Sequence, residues 1–440
     1  METAQIVDET LKKVAKGAAI VFLGTIVGML LGFGSRIIIV RYITQSEYGI
    51  FSLAVVLAGI FSMLATLGLA QGATRYIAYF RGKNELSKIK SVVFSSLGFT
   101  LIASIFLSLV LFFASDILST RVFDEPELST PLKIFSISIP FIVLTGMLIT
   151  IFRGFDRVDV KVYFQDILHG ALFLISLGAI IILGVTFLGV IYASLAATVI
   201  TCLAVAVYTI IKPPLSMKGG ESTGPIGKEM LLFSLPLLGS AMLALIIQWT
   251  DTLMLGYFKT ASDVGLYNGA LPLARLIPIP LASMNFLYVP VLTQLYSKGL
   301  TNEMKRSYQV LTKWVFVLSF PLFLILLLFP ITILSFLFGY QYAEAAQALR
   351  ILSFGLMLHT FVGANGMTLM VIGRTRLIMF VSLLGAALNV ALNAALIPPL
   401  GITGAAIASM AAYIVINSFL LIKLYQLYRI HPFTWNYLKP

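Results

Sequence analysis

The sequence predicts an all-α polytopic membrane protein with about twelve transmembrane helices in two six-helix lobes. Three observations predict this class: an apolar composition, basic residues confined to alternate loops, and a motif that recurs in the second half. Hydrophobic residues make up 59% of the chain and charged residues 11%, with a mean hydropathy of +0.99. Soluble domains carry about 25% charged residues, so lipid is the expected solvent.

Apolar windows recur along all 440 residues, each near the length of about 20 residues that crosses a hydrocarbon core of about 30 Å. No stretch between them is long enough for a soluble catalytic domain. The amphipathic residues 1–16 come first and predict an interfacial segment that lies on the membrane. The predicted spans are 17–40, 49–72, 92–114, 133–152, 163–183, 188–211, 230–257, 265–290, 312–338, 345–371, 377–397 and 402–424.

The positions of Lys and Arg predict the orientation, because cytoplasmic loops carry these residues in excess. The N-terminus, the even-numbered loops and the C-terminal tail hold 23 of the 30 basic residues. Both termini are therefore predicted to be cytoplasmic. The net charge of +12 follows from this topology, so a nucleic-acid partner is not expected.

A polar segment and a repeat divide the chain. Residues 212–229 are rich in Pro, Gly, Ser and charge, which predicts a flexible cytoplasmic linker between an N-lobe at 17–211 and a C-lobe at 230–440. Two halves that both start in the cytoplasm form a parallel repeat, with a pseudo-two-fold axis along the membrane normal. At an offset of 216, the matched residues of the two corners are Thr44 and Thr260, Ser46 and Ser262, Glu47 and Asp263, and Gly49 and Gly265.

Charged residues inside predicted spans are the first candidates for a functional site, since a charge at mid-bilayer costs about 2.5–3.5 kcal/mol on insertion scales. Arg36 lies toward the outer end of the first span, and Gly28 and Gly32 precede it at steps of four on one helical face. Position alone leaves two interpretations: Arg36 snorkels to the outer headgroups, or it faces a cavity. Arg350, near the outer start of span 10, is predicted to anchor at headgroups.

Arg275 is the arginine nearest the membrane centre. It lies about ten residues into span 8, and Pro272, Pro278 and Pro280 surround it. These prolines remove amide donors and disrupt the helix, and broken helices in transporters line cavities. Arg275 is therefore predicted to line a cavity, with a structural ion pair as the alternative.

Asp251 is the one carboxylate well inside a predicted span, in span 7, and Gln248 lies one turn before it on the same wall. Three interpretations stay open for Asp251. It pairs with Arg36 or Arg275 as a latch, it binds a proton or Na⁺, or it forms a permanently satisfied buried pair.

Further polar residues in the spans are weaker candidates. His359 in span 10 could titrate near neutral pH and couple transport to H⁺, although a lone histidine is more often a packed, hydrogen-bonded residue. Asn389 and Asn393 place two amides on one face of span 11, either as interhelical hydrogen bonds or as part of the cavity wall.

Enzymatic signatures are missing from the sequence. It contains no HExxH, P-loop or GxSxG motif. Its three histidines and its one cysteine, Cys202, are too widely separated for a metal site or a disulfide framework. An enzyme, a metal and a resident cofactor are therefore not expected, and Na⁺ or H⁺ coupling through Asp251 or His359 is the one ion requirement predicted.

Two stretches carry a family resemblance. The corner "RYITQSEYGIFSLA" from Arg41, and residues 373–409 with the Asn389/Asn393 pair and the Pro398-Pro399 break, resemble the polysaccharide-transport branch of the MOP flippase superfamily. This resemblance implies a MATE-like V shape with a central cavity. "LGFGSR", which ends at Arg36, resembles the stretch of lipid II flippases whose arginine faces the cavity. Those relatives usually have fourteen helices, which argues against that narrower assignment.

The predicted function follows from the resemblance and from the excess of buried arginines, whose guanidinium groups bind phosphate bidentately. We expect a flippase in the plasma membrane, acting by alternating access on a lipid-linked oligosaccharide carried by a polyprenyl or dolichyl phosphate or diphosphate. Arginines of both lobes would hold the phosphate. Membrane lipids and glycan-assembly enzymes are the expected partners, and a monomer is the expected state. The alternatives are a MATE-type cation-coupled exporter and a non-transporting membrane scaffold for glycan assembly.

Overall fold

The computed structural model describes residues 2–214 and 226–432, and these residues are helical with no strand among them. Side chains are described from residue 21 onward, apart from residues 22, 240, 243, 244, 247, 286 and 287. Residues 2–16 of the predicted interfacial segment lie on the first helix, and most of the predicted linker, residues 215–225, lies outside the described residues.

Sixteen α-helices account for most of the described chain. They are α1 Glu2–Tyr42, α2 Gln45–Ala65, α3 Leu69–Gly82, α4 Leu86–Ile117, α5 Ser129–Gly154, α6 Asp159–Lys161, α7 His169–Ile182, α8 Phe187–Ile211, α9 Ile226–Phe258, α10 Ala261–Ala274, α11 Ile279–Ser297, α12 Thr301–Leu328, α13 Pro330–Phe338, α14 Ala346–Val362, α15 Asn365–Val371 and α16 Thr375–Tyr428. Short π-helical segments, Leu118–Val122 and Val162–Leu168, continue α4 and join α6 to α7.

Nine helical stretches among the described residues are long and apolar enough to cross a membrane. The 54-residue α16 is one of them, and it contains both predicted spans 377–397 and 402–424. Predicted span 7 lies on α9, and predicted span 8 is divided between α10 and α11. The all-helical membrane class is confirmed, whereas the count of twelve spans and their orientation stay predictions.

The final helix is a hairpin of two arms with almost no loop. Pro398 and Pro399 end the first arm, and Gly401 has non-helical backbone angles of φ 56° and ψ −132°. Asn389 on the first arm donates to Ser409 on the second at 3.4 Å. The two arms therefore pack antiparallel, and polar residues of the first arm lie beside polar residues of the second.

The chain forms two compact units by its internal contacts. The first contains 1–44 and 53–242, and the second contains 45–52 and 243–440. The boundaries between the units fall within α2 and α9. The predicted lobes at 17–211 and 230–440 remain a prediction.

Each unit has its own apolar core. In the first, buried residues of α3, α4 and α5 pack with Met230 at the start of α9. In the second, α11, α12, α15 and the second arm of α16 share a core around Leu292, Tyr308 and Leu424. Polar side chains at the ends and edges of these cores are consequently held in defined positions.

The two repeated corners contact each other inside the second unit. A Cβ atom added to Gly49 would lie 1.7 Å from the carbonyl oxygen of Ala261, and one added to Gly265 would lie 2.1 Å from that of Gln45. Residues 45 and 261 correspond at the offset of 216, so the contact is reciprocal. Only glycine allows helices α2 and α10 to approach this closely.

Two helices are interrupted. Between α2 and α3 the backbone turns through Leu67 and Gly68, with φ angles of 52° and 70°. Between α10 and α11 it turns through Arg275–Pro278. The second interruption agrees with the disruption expected from the prolines, and the first had no proline to signal it.

Candidate functional site

The strongest polar cluster in the second unit surrounds Asp251 of α9, which is 4% exposed. Its Oδ2 atom accepts hydrogen bonds from the hydroxyls of Tyr267 and Ser409, each at 2.5 Å. Its Oδ1 atom accepts from Nδ2 of Asn393 at 2.8 Å and from Nδ2 of Asn389 at 3.2 Å. The carboxylate is therefore surrounded by four neutral donors.

Local structure explains how distant parts of the sequence meet here. Asn389 and Asn393 are four residues apart on the first arm of α16 and share a face, as predicted. The hairpin at Pro398–Gly401 returns Ser409 to the same level on the second arm. Tyr267 reaches the site from α10, which begins with a capping box between Thr260 and Asp263. Two helices, α10 and α16 with both of its arms, thus hold the carboxylate of α9.

The cluster contains an unpaired oxygen and no cationic side chain. Asn393 is fully buried, and its Oδ1 atom has no hydrogen-bond partner among the described residues. Among the described residues, no Lys, Arg or His nitrogen lies within 4 Å of the carboxylate of Asp251 as an ion pair. Carboxylate, amide and hydroxyl oxygens are the ligands that hard cations prefer, so this arrangement suits an alkali cation or a proton.

The predicted pairing of Asp251 with Arg275 is not present as a direct ion pair in the second unit. Arg275 caps the C-terminus of α10 and is half-buried. Its Nη2 atom donates to the carbonyl oxygen of Gln248 at 3.1 Å, one turn from Asp251 on α9. Arg275 and Gln248 therefore do meet, although through the backbone of Gln248 rather than its exposed amide.

Arg36 belongs to the first unit and is half-buried on α1. Its side chain makes no hydrogen bond or ion pair with any residue that the structure describes. Gly28 packs α1 against Asp166, because a Cβ atom added to Gly28 would lie 3.0 Å from the backbone oxygen of Asp166. A Cβ atom added to Gly32 would meet no atom of another part of the structure within 4 Å. The helical face that leads to Arg36 is thus packed at Gly28 and open at Gly32.

His359 lies in a separate polar group of the second unit. Asn417 donates through Nδ2 to the carbonyl of Tyr413 at 2.8 Å, so its Oδ1 atom is an acceptor. The Nδ1 atom of His359 lies 3.1 Å from that Oδ1 and therefore carries the proton. No hydrogen bond connects His359 to the Asp251 cluster among the described residues.

Sequence reasoning missed two ligands of Asp251, namely Tyr267 and Ser409. The repeat held a signal for the first: at the offset of 216, Tyr267 corresponds to Phe51, so one half gains a hydroxyl that the other lacks. Ser409 gave no comparable signal within its small-residue helix. Arg350 donates through Nε to the carbonyl of Leu327 at 3.3 Å and is not part of the cluster.

Comparison with solved structures identifies the fold as that of MATE-like membrane transporters. An inward-facing multidrug resistance MATE transporter of the MOP superfamily matches with a TM-score of 0.76 and 19% identity, over 91% of this chain and 96% of that one. Lipid II flippase MurJ in an inward closed conformation matches with a TM-score of 0.70 and 14% identity, over 93% and 87%.

Two family models match the sequence, "Polysaccharide biosynthesis protein" over residues 14–296 and "MatE" over residues 236–395. The chain belongs to the polysaccharide biosynthesis protein family, whose model matches more than half of it. The predicted family is thus confirmed, as is the multi-pass membrane location, which agrees with the plasma membrane. The two solved neighbours are named as a transporter and a flippase.

Relatives in sequence add detail. An uncharacterized membrane protein of Methanocaldococcus jannaschii, MJ1068, is 24% identical over 92% of this chain and 82% of its own length. The probable low-salt glycan biosynthesis flippase Agl15 of Haloferax volcanii is 27% identical over 38% of this chain and 35% of its own length. The resemblance to the second relative is therefore partial.

Proposed function

We propose that this MOP superfamily transporter is a flippase that moves a lipid-linked oligosaccharide from the cytoplasmic to the outer leaflet by alternating access. The observation that carries the proposal is that Arg36 and Arg275 have no carboxylate within 4 Å among the described residues, although both lie in predicted membrane spans. A guanidinium group kept in a membrane without a neutralising side chain needs an anionic ligand or water. A polyprenyl or dolichyl phosphate or diphosphate provides the anion.

The proposal assigns Arg36 and Arg275 as phosphate ligands, each within its own unit. Guanidinium forks bind phosphate oxygens bidentately and stay charged when partly desolvated. Gln248 orients Arg275 through its carbonyl and offers an exposed amide to the sugars. The names of two similar proteins, a glycan biosynthesis flippase and a lipid II flippase, support a cargo of this class.

Asp251 is proposed to couple transport to a cation. Its carboxylate, the free Oδ1 of Asn393 and the hydroxyls of Tyr267 and Ser409 provide oxygen ligands for Na⁺, since both hydroxyls can turn a lone pair toward the ion. Proton coupling is the alternative at the same carboxylate, with His359 as a second candidate proton site. Asn389 holds the amide of Asn393 through its own Oδ1 at 3.1 Å.

A cation-coupled exporter of the MATE type is the second candidate function. The MatE match covers residues 236–395, which include Asp251 and both asparagines. Exporters of cationic compounds use buried carboxylates, and Asp251 is such a group. The unpaired arginines would repel a cationic cargo, so the flippase is the preferred function.

Reconstitution into liposomes with two cargoes distinguishes these functions. A fluorescent lipid-linked oligosaccharide should move between leaflets, which an impermeant quencher detects, while a cationic dye should not be transported. Transport of the dye without movement of the glycolipid would establish the exporter. Movement of neither cargo, with correctly inserted protein, would favour the scaffold.

A further inference from the structure

A second concentration of arginine lies in the first unit, outside any predicted cavity. Helix α2 has 21 residues, which corresponds to about 31 Å and crosses the hydrocarbon core. Helix α3 follows after the break at Leu67–Gly68 and is not one of the apolar spans found among the described residues. Because α3 follows this crossing and has only 14 residues, we place it at the headgroup level, on the side that the basic loops predict to be cytoplasmic.

Several basic residues of the first unit are neutralised by carboxylates. Arg81 pairs with Asp156, and Lys161 pairs with Asp166 at 3.0 Å. The nearby Arg157 pairs with Asp159 at 2.9 Å, and this hydrogen bond raises the pKa of the Arg157 guanidinium. Arg75 and Arg153 differ, because neither has a carboxylate within 4 Å among the described residues.

Arg75 is exposed and is positioned by aromatic contact. Its guanidinium carbon lies 4.2 Å from the ring centroid of Phe233 on α9, a favourable cation–π distance. The neighbouring carboxylate, Glu229, accepts a hydrogen bond from the hydroxyl of Tyr76 at 3.0 Å. This arrangement orients Arg75 and leaves the N–H groups at its edge without a hydrogen-bond partner in the described chain.

Arg153 approaches α3 from the opposite side. Its Nη2 atom donates to Oγ1 of Thr74 at 3.1 Å, its one hydrogen bond among the described residues. It extends from the last turn of α5. Most of its five N–H donors therefore remain available to a ligand.

The exposed face of α3, here called the α3 valley, carries Arg75, and Arg153 of α5 contacts the adjacent Thr74. The floor of the valley consists of Gln71, Ala78 and Gly82, which are exposed and share a helical face with Arg75 through spacings of three and four. The opposite face of α3 is buried in the core of the first unit. Small side chains at 78 and 82 leave room for a ligand between the α5 and α9 sides.

We infer that the α3 valley captures the phosphate or diphosphate headgroup of a prenyl carrier lipid, with Arg75 and Arg153 as its two guanidinium ligands. This inference rests on the proposed flippase function and adds to it an entry site distinct from Arg36 and Arg275. Two guanidinium groups next to small side chains suit a ligand with several anionic oxygens. The headgroup level of α3 leaves the prenyl tail in the bilayer.

Binding measurements on the full-length protein in phosphatidylcholine nanodiscs test the inference. Farnesyl diphosphate is the probe, and farnesol and inorganic diphosphate separate the roles of headgroup and tail. The Arg75→Gln/Arg153→Gln variant should bind farnesyl diphosphate at least roughly tenfold more weakly, since hydrogen bonds to charged groups are the strong ones. The matched control is Arg81→Gln/Arg157→Gln, which removes two ion-paired arginines and should stay within about twofold of wild type, as expected for exposed pairs.

Three results would overturn the inference: equal affinity of the wild type and the valley variant, an equal loss in the control, or full competition by phosphatidylglycerol in the nanodisc. The last would mean a general site for anionic lipid. In liposomes, the valley variant should raise KM for a lipid-linked oligosaccharide and leave kcat unchanged. If the wild type is active and the KM of the valley variant is unchanged, the α3 valley is rejected and the flippase function stands. If the wild type moves no lipid-linked oligosaccharide but still binds farnesyl diphosphate through the α3 valley, the flippase function is rejected.

Discussion

Replacement of Asp251 by alanine should cost clearly more stability than replacement by asparagine. Asp251→Ala removes the acceptor of four donors, but two of them keep another partner: Asn393 donates to Asn389 at 3.1 Å, and Asn389 donates to Ser409 at 3.4 Å. The hydroxyls of Tyr267 and Ser409 lose their acceptor. At about 1–3 kcal/mol for each buried unsatisfied group, Asp251→Ala should cost about 2–6 kcal/mol.

Asp251→Asn keeps the shape and one accepting oxygen. Its carbonyl oxygen can face Asn389 and Asn393, and its amide can donate to the hydroxyls of Tyr267 and Ser409, which rotate to accept. Its cost should be smaller than that of Asp251→Ala, because each hydroxyl keeps one hydrogen bond as an acceptor although its own O–H group loses the carboxylate. The negative charge is lost, so Na⁺ should no longer raise the thermal stability of this variant.

Thermal unfolding of purified protein, with and without Na⁺, measures both effects. The wild type should gain stability as Na⁺ increases, since a ligand that binds only the folded state stabilises it. Choline chloride at equal concentration controls for ionic strength. Equal melting temperatures of the alanine and asparagine variants would refute the hydrogen-bond accounting, and Na⁺ stabilisation of Asp251→Asn would refute the assignment of the cation site.

Three other substitutions test the remaining geometry. Gly265→Ala should destabilise the protein clearly, because the new Cβ would lie 2.1 Å from a backbone oxygen, whereas Gly98→Ala, with nothing within 4 Å, should be neutral or stabilise by up to about 1 kcal/mol; equal melting temperatures would contradict the corner contact. Thr260→Ala should cost about 0.5–2 kcal/mol by removing the capping box of α10, and an unchanged melting temperature would contradict that role. Tyr267→Phe should weaken Na⁺ stabilisation while costing about 1 kcal/mol, and an unchanged Na⁺ response would exclude its hydroxyl from the site.

Composition and periodicity were enough to predict the helical membrane class. A helix forms all the hydrogen bonds of its backbone N–H and C=O groups within one apolar segment, as the bilayer requires. They were less informative about where helices break. The prolines around Arg275 marked one interruption, but Leu67 adopts a left-handed conformation that no residue type signals. Helix α16 shows the converse, since two predicted spans are joined by a kink at Gly401 rather than by a loop.

The repeat predicted which residues are equivalent, but equivalence does not imply contact. That Gly49 and Gly265 touch reciprocal backbone positions became evident only in three dimensions. Asp251 was similarly recognised as a candidate, yet the sequence favoured no single partner. Its observed neighbours, Asn389, Asn393 and Ser409, meet it because a hairpin folds two arms together, and such long-range proximity is not encoded in local spacing.

The central claim, that membrane arginines hold an anionic headgroup, is tested most directly by leaflet translocation of a fluorescent lipid-linked oligosaccharide in liposomes with arginine variants. Arg36→Gln and Arg275→Gln should each abolish translocation while insertion is unchanged, and Arg350→Gln, which removes a membrane arginine bonded to Leu327, should remain active. Normal translocation by both the Arg36 and the Arg275 variants would contradict the claim.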